Sequence, residues 1–139
     1  CAAPPPIVQM GPANYERVFS GQCDQGNTPV WRFFDWQGST PDDSFVEFYA
    51  ESASTEAALH TLPTLPTAVT TPGVVRVATA QGDPTVSWTG ASVDLALTQA
   101  GLVSRPFLKI TMRFSPDTAL RKAPVLTAWR QSYSCVPNE

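Results

Sequence analysis

Apolar and polar positions alternate most cleanly in two stretches of this chain, and both predict β-strands. In residues 45–51 (FVEFYAE), Val46, Phe48 and Ala50 fall on one side and Glu47, Tyr49 and Glu51 on the other. A period of two places one face of such a strand on a core and the other in water. Residues 107–114 (FLKITMRF) repeat the pattern: Leu108, Ile110, Met112 and Phe114 face inward, while Lys109, Thr111 and Arg113 are expected to face solvent. A third stretch, residues 30–36 (VWRFFDW), is apolar on both sides, with Trp31 and Phe33 pointing one way and Phe34 and Trp36 the other. A strand of that kind must be covered on both faces. Between it and residues 45–51 lies Gly-Ser-Thr-Pro-Asp-Asp-Ser, a cluster of turn formers. Residues 29–51 therefore read as a hairpin around which the other elements are built.

Weaker strand signals occupy residues 15–19 (YERVF), 74–79 (VVRVAT, ended by Gln81-Gly82-Asp83-Pro84), 85–88 and 125–135 (VLTAWRQSYSC). Ser54 or Thr55 can cap a brief helical turn through Glu56, Ala57, Ala58 and Leu59, which Pro63 stops. The best helix is residues 92–100, with Ser92 as cap, Asp94 at the positive end, Gly101 as the left-handed stop, and Val93, Leu97 and Leu102 as anchors. Residues 20–28 and 115–124 read as loops, and 61–72 (TLPTLPTAVTTP) as an extended surface crossing. Prolines at 4, 5, 6 and 12 make the start of the chain an extended leader. The expected division is a leader, 1–14, and a single domain, 15–139, with the leader packed on its own domain or on a neighbouring chain. Six to eight strands with regularly spaced turns, and no helix of ten residues between them, predict an all-β fold: an antiparallel β-sandwich of jelly-roll type with one or two short helical turns.

Composition narrows the function classes. At 139 residues the chain is long enough to bury one sizeable core. Charged residues make up only 15%, which suits a secreted or cell-surface β-protein better than a cytosolic enzyme. The net charge is −3 and the basic residues are scattered among acids, so no nucleic-acid stripe forms. No apolar run approaches the roughly 20 residues that span a bilayer. Among the three cysteines, Cys23 before the aromatic strand and Cys135 at the end of the last strand are the favoured disulfide, with Cys1–Cys23 as the alternative. Cys1, followed by two alanines and a proline run, is a candidate for lipidation, and hence a lipid anchor, or for an intermolecular disulfide.

The segment SRPFLKITMRFSPDTALRKAPVLTAWRQSYSC resembles the end of galactose-binding-like (discoidin-type) jelly rolls, in which an aromatic-rich strand and a polar loop lead into a last strand opened by a Pro-Val-Leu run. PVWRFFDWQGSTPDDSFVEFYAES is similar to a hairpin of sandwich modules in large bacterial surface proteins. The resemblance implies a carbohydrate-binding-like sandwich that serves adhesion, assembly or spacing on exported proteins. It supplies no matched ligand set and no calcium loop.

The candidate chemistry is sparse. The single histidine, His60, lies in an Ala/Leu-rich turn, and no G-x-S-x-G, H-E-x-x-H or P-loop spacing occurs. Carboxylate pairs that a glycosidase would need are available as Asp42–Asp43, in a turn, and Glu47–Glu51, on an outward strand face. Asp42 and Asp43 with Ser44, or Asp24 with Gln25 and Asn27, offer hard oxygen ligands for calcium but fall short of a dedicated loop. No cofactor motif is present. Aromatic platforms for a sugar are sought among exposed rings: Trp31 and Trp129 are assigned to the core, whereas Trp88 and Tyr49 are expected at the surface and are the candidate ligand-binding residues. These observations predict a non-enzymatic domain that acts in cell-surface adhesion or as a subunit of an extracellular assembly or filament, with a protein partner or further copies of itself. The alternatives are a carbohydrate-binding module that takes a glycan and, remotely, a secreted hydrolase.

Overall fold

Alternation of side chains carries most of the chain into eight strands. The computed structural model describes residues 7–8, 12–82, 87–117, 122 and 124–137. In chain order the strands are β1 (Ile7–Val8), β2 (Ala13–Ser20), β3 (Asn27–Ser39), β4 (Phe45–Ala53), β5 (Val74–Gln81), β6 (Ser87–Ser92), β7 (Phe107–Ser115) and β8 (Val125–Pro137). A 3-10 turn, Glu56–Ala58, follows β4, and one helix, α1 (Val93–Gln99), follows β6. All pairings are antiparallel. The strands form two four-stranded sheets, ordered β1-β8-β3-β6 and β2-β7-β4-β5.

That order is a jelly roll. The first strand pairs with the eighth, the second with the seventh, the third with the sixth and the fourth with the fifth, as in one long antiparallel ribbon. Wrapping the ribbon sets β3 beside β8 and β4 beside β7, which closes the two sheets over a common core. The core consists of Trp31, Phe34, Trp36 and Leu126 from the first sheet, Val46, Phe48, Ala50, Leu108, Ile110, Met112 and Phe114 from the second, and Val93 and Leu97 from α1. Trp36 stacks on Phe48 across the sandwich at 4.3 Å between ring centres, and Phe34 meets Phe48 at 5.5 Å.

The aromatic strand departs from the expected pattern. β3 and β4 lie in opposite sheets, so residues 29–51 form an arch across the sandwich and not a hairpin. The turn chemistry is as expected: the Ser44 amide donates to the Pro41 carbonyl at 3.1 Å, and Asp42 adopts a φ of 53°. Beyond the turn, however, the chain passes into the other sheet. β3 is not apolar on both faces either. A bulge against β8 between Trp31 and Phe34 shifts the alternation by one, bringing Trp31, Phe34 and Trp36 onto the core face. Phe33 is thereby turned outward and is 53% exposed.

Other expectations meet the structure more simply. The Ser92 hydroxyl accepts the Leu95 amide at 3.1 Å, and Gly101 stops α1 with a φ of 76° while Leu102 donates to Leu97 at 2.8 Å. Thr55 occupies the cap position of the 3-10 turn without a side-chain bond. Ile7–Val8, within the stretch read as leader, pairs with Val125 and Leu126. The rest of residues 1–11, including Cys1, lies outside the described residues, as do 85–86 of the expected strand 85–88 and half of the loop 115–124. Cys23 and Cys135 are joined, with Cα atoms 5.7 Å apart. No helix among the described residues is long and apolar enough to cross a membrane.

Candidate functional site

The outward faces of the two sheets differ. On the second sheet, Thr111 and Arg113 were expected in water, yet they are 2% and 1% exposed. The segment after the 3-10 turn crosses over them and is pinned at three points. The Asn14 side-chain amide donates to the carbonyls of Leu62 and Pro63 at 2.9 and 3.1 Å. Arg113 Nη2 donates to the Thr67 carbonyl. Glu51, also expected in water, is 7% exposed and accepts the His60 amide at 2.6 Å, with His60 Nδ1 2.5 Å from its other oxygen. Leu62 is buried beneath this crossing. Glu47 is held by Arg113 at 3.5 Å and Arg76 at 3.9 Å, and Lys109 by Glu16 at 3.3 Å. Tyr49 belongs to this sealed layer: it is half-buried, with the Arg113 guanidinium 5.4 Å over its ring. Its ring is therefore less exposed than the sequence suggested.

The Glu47–Glu51 pair does not have the spacing of a glycosidase pair. Glu47 and Glu51 are four residues apart on one strand, about 14 Å at the usual rise, whereas a glycosidase pair sits ~5–9.5 Å apart. His60 has no serine or cysteine hydrogen-bonded to it among the described residues, and the space it shares with Tyr49, Glu51 and Lys109 holds no room for a water molecule.

Among the described residues, the outer face of the first sheet carries exposed aromatic rings, Phe33 and Trp88. β3 is one of its two inner strands, flanked by β8 and β6, and from the bulge onward Phe33, Asp35 and Gln37 point outward. Cross-strand register places Asp35 opposite Arg130 on β8 and opposite Gly90 on β6, and Gln37 opposite Trp88. Arg130 reaches diagonally over β3. Its Nε donates to Asp35 Oδ2 at 3.1 Å, and its guanidinium carbon stands 4.4 Å over the Trp88 ring. Trp88 is 46% exposed, as expected from sequence. Phe33 lies about 13 Å along the sheet from the Trp88 rung, four residues at ~3.3 Å each. Phe33, Asp35, Gly90 and Arg130 are the residues that reading the sequence missed. Once Phe34 and Trp36 are assigned inward, Phe33 and Asp35 must point out. The proximity of Arg130, however, depends on a pairing between residues 95 positions apart.

The remaining candidates are dispersed. Asp42 is exposed in its turn with Lys122 at 3.5 Å, and Asp43 is its neighbour in the same turn. Asp24 accepts the Asn27 amide through its carbonyl in the β2–β3 loop. No group of three potential metal ligands forms among the described residues. The two sugar-platform candidates, Tyr49 and Trp88, lie on opposite outer faces and do not make one site. Set against family models, curated proteins and solved structures, the chain finds no match in any of the three.

Proposed function

We propose that this domain is a non-enzymatic β-sandwich of an exported protein that docks through the outer face of its first sheet onto a protein partner, in surface adhesion or in an extracellular assembly. The observation that carries the reading is the pair of exposed rings, Phe33 and Trp88, on a face where Arg130 is held against Asp35 and Trp88. The four strands of this sheet, β1, β3, β6 and β8, contain no lysine and no glutamate. Protein interfaces are enriched in Trp, Phe and Arg and depleted in Lys and Glu. On the opposite sheet the central charged residues Glu51 and Arg113 are buried under a covering segment. The Cys23–Cys135 disulfide fits an oxidising compartment, which supports export.

A second reading, a carbohydrate-binding module, draws on the exposed Trp88 ring alone. It is weaker because Arg130 already occupies one face of that ring. The two are separated by a Phe33→Ser/Trp88→Ser variant exported from producing cells. Protein docking predicts that wild type fractionates with surface or high-molecular-mass material, and that the double variant is released as free monomer with unchanged melting temperature. Equal retention of both proteins would refute docking through this face. Glycan-array hits on neutral oligosaccharides, lost on Trp88→Ala, would replace it with the sugar reading.

A further inference from the structure

Arg130 is held in one pose by residues from two other strands. Its Nε donates to Asp35, and its plane lies over Trp88. Asp35 can rest against β6 because the residue beside it is Gly90: a Cβ there would stand 2.1 Å from Asp35 Oδ1. A guanidinium carries five N–H donors, and Nε accounts for one. No other hydrogen bond reaches Arg130 among the described residues, and its side chain is 65% exposed. The Nη1–Nη2 edge, on the side away from Asp35, is thus free, solvated and already oriented. An unfixed surface arginine would lose side-chain entropy on binding; here part of that loss has occurred.

We propose that Arg130 is a carboxylate receptor: the protein partner that meets this face places an Asp or Glu side chain on the Nη1–Nη2 fork, beside the Trp88 ring. The inference rests on reading the face as a protein-docking surface and names the chemistry of the partner. A planar carboxylate matches the fork with two parallel bonds. It approaches from the edge opposite Asp35, so the two carboxylates flank one cation. A phosphate or sulfate would want a second cation, and the nearby Arg32 is engaged with Asp94 at 3.9 Å and with Ser134. An acidic sugar is disfavoured because the guanidinium covers the ring face on which it would stack.

The test uses the intact, disulfide-closed chain, nitrogen-15 labelled, titrated with the peptides Ac-Phe-Glu-Phe-NH2 and Ac-Phe-Gln-Phe-NH2 while the Trp88 indole and Arg130 Nε resonances are followed. The glutamate peptide should move both signals with a dissociation constant about tenfold lower than the glutamine peptide, the ratio expected for a charge-assisted pair. Arg130→Gln should abolish the preference without changing the fold. Gly90→Ala, which displaces Asp35, should reduce it severalfold with Arg130 still present. Equal constants for the two peptides, or an undiminished preference in Arg130→Gln, would overturn the proposal. So would a glucuronate disaccharide that binds more tightly than the glutamate peptide through Arg130. If the peptides are bound equally while Phe33→Ser/Trp88→Ser still releases the protein, only the receptor role falls. If neither peptide moves Trp88 and the double variant is retained, the docking surface falls with it.

Discussion

Two arginines on opposite sheets, Arg113 and Arg130, have comparable partners and very different surroundings. Arg113 is 1% exposed, shares Glu47 with Arg76, donates to Thr67, and leaves its Nε without a partner. Removing it would leave the Glu47 carboxylate with only the exposed Arg76 and the covered Thr67 carbonyl without its donor, a change that costs about 3 kcal/mol in comparable sites. Arg130 is mostly in water, and its pair with Asp35 is worth no more than ~1 kcal/mol. Urea denaturation should therefore find Arg113→Ala destabilised by about 3 kcal/mol and Arg130→Ala by less than about 1. Comparable losses would mean that Arg130 is a structural residue and not a free receptor. Alternation in FLKITMRF places Arg113 correctly on the outer face and misjudges its environment. The pattern of one strand reports which side a residue is on; whether that side is wet depends on a segment some fifty positions away in the chain, here Thr67.

At the scale of elements, local chemistry is legible wherever an element depends on its own residues. Ser92, Leu97 and Gly101 specify α1 through bonds spanning at most five positions, and the structure makes those bonds. The strand limits of β4 and β7 follow alternation in the same way. β3 defeats the same reading because a bulge consumes one residue without any composition signal, exchanging the faces of everything before it. The turn Pro41–Ser44 is recognisable, but a tight turn looks the same whether its strands pair or part into two sheets. The proline- and threonine-rich crossing reads as a surface connection, and it is one; its role as the cover of Arg113 and Thr111 is not readable from its composition. The buried apolar residue of that cover is Leu62, 6% exposed. Leu62→Ala should cost about 2 kcal/mol. It should also open the segment 63–72 to proteolysis in the native state, because local opening is then resisted by the polar contacts of Asn14, Glu51, Lys109 and Arg113. Cleavage confined to other loops in both proteins would show that the polar contacts suffice.

For the whole molecule, the sandwich class is visible as many short alternating strands without long helices. The partition into sheets is not, since every pair that defines it except β4 with β5 joins distant parts of the chain. The wrapped ribbon has a consequence for stability. Its earliest and latest strands lie side by side, so the fold is closed by contacts that an unfolded chain finds only at high loop entropy. The Cys23–Cys135 bridge acts on that entropy, tying the β2–β3 loop to β8 over a separation of 112 residues. In the chain-entropy model such a loop contributes about 4–5 kcal/mol by restricting the unfolded state. Trp31 donates to Arg105, and Tyr133 lies 5.4 Å from Trp31 and hydrogen-bonds Gln22, so the native contacts around the bridge persist when it is opened. Cys23→Ser/Cys135→Ser should therefore keep the fold, as judged by near-ultraviolet circular dichroism, while its urea midpoint falls by roughly 2–3 M. A midpoint shift below about 0.5 M would mean that the unfolded ends already stay close, and that the jelly roll is held shut by its strand pairs alone.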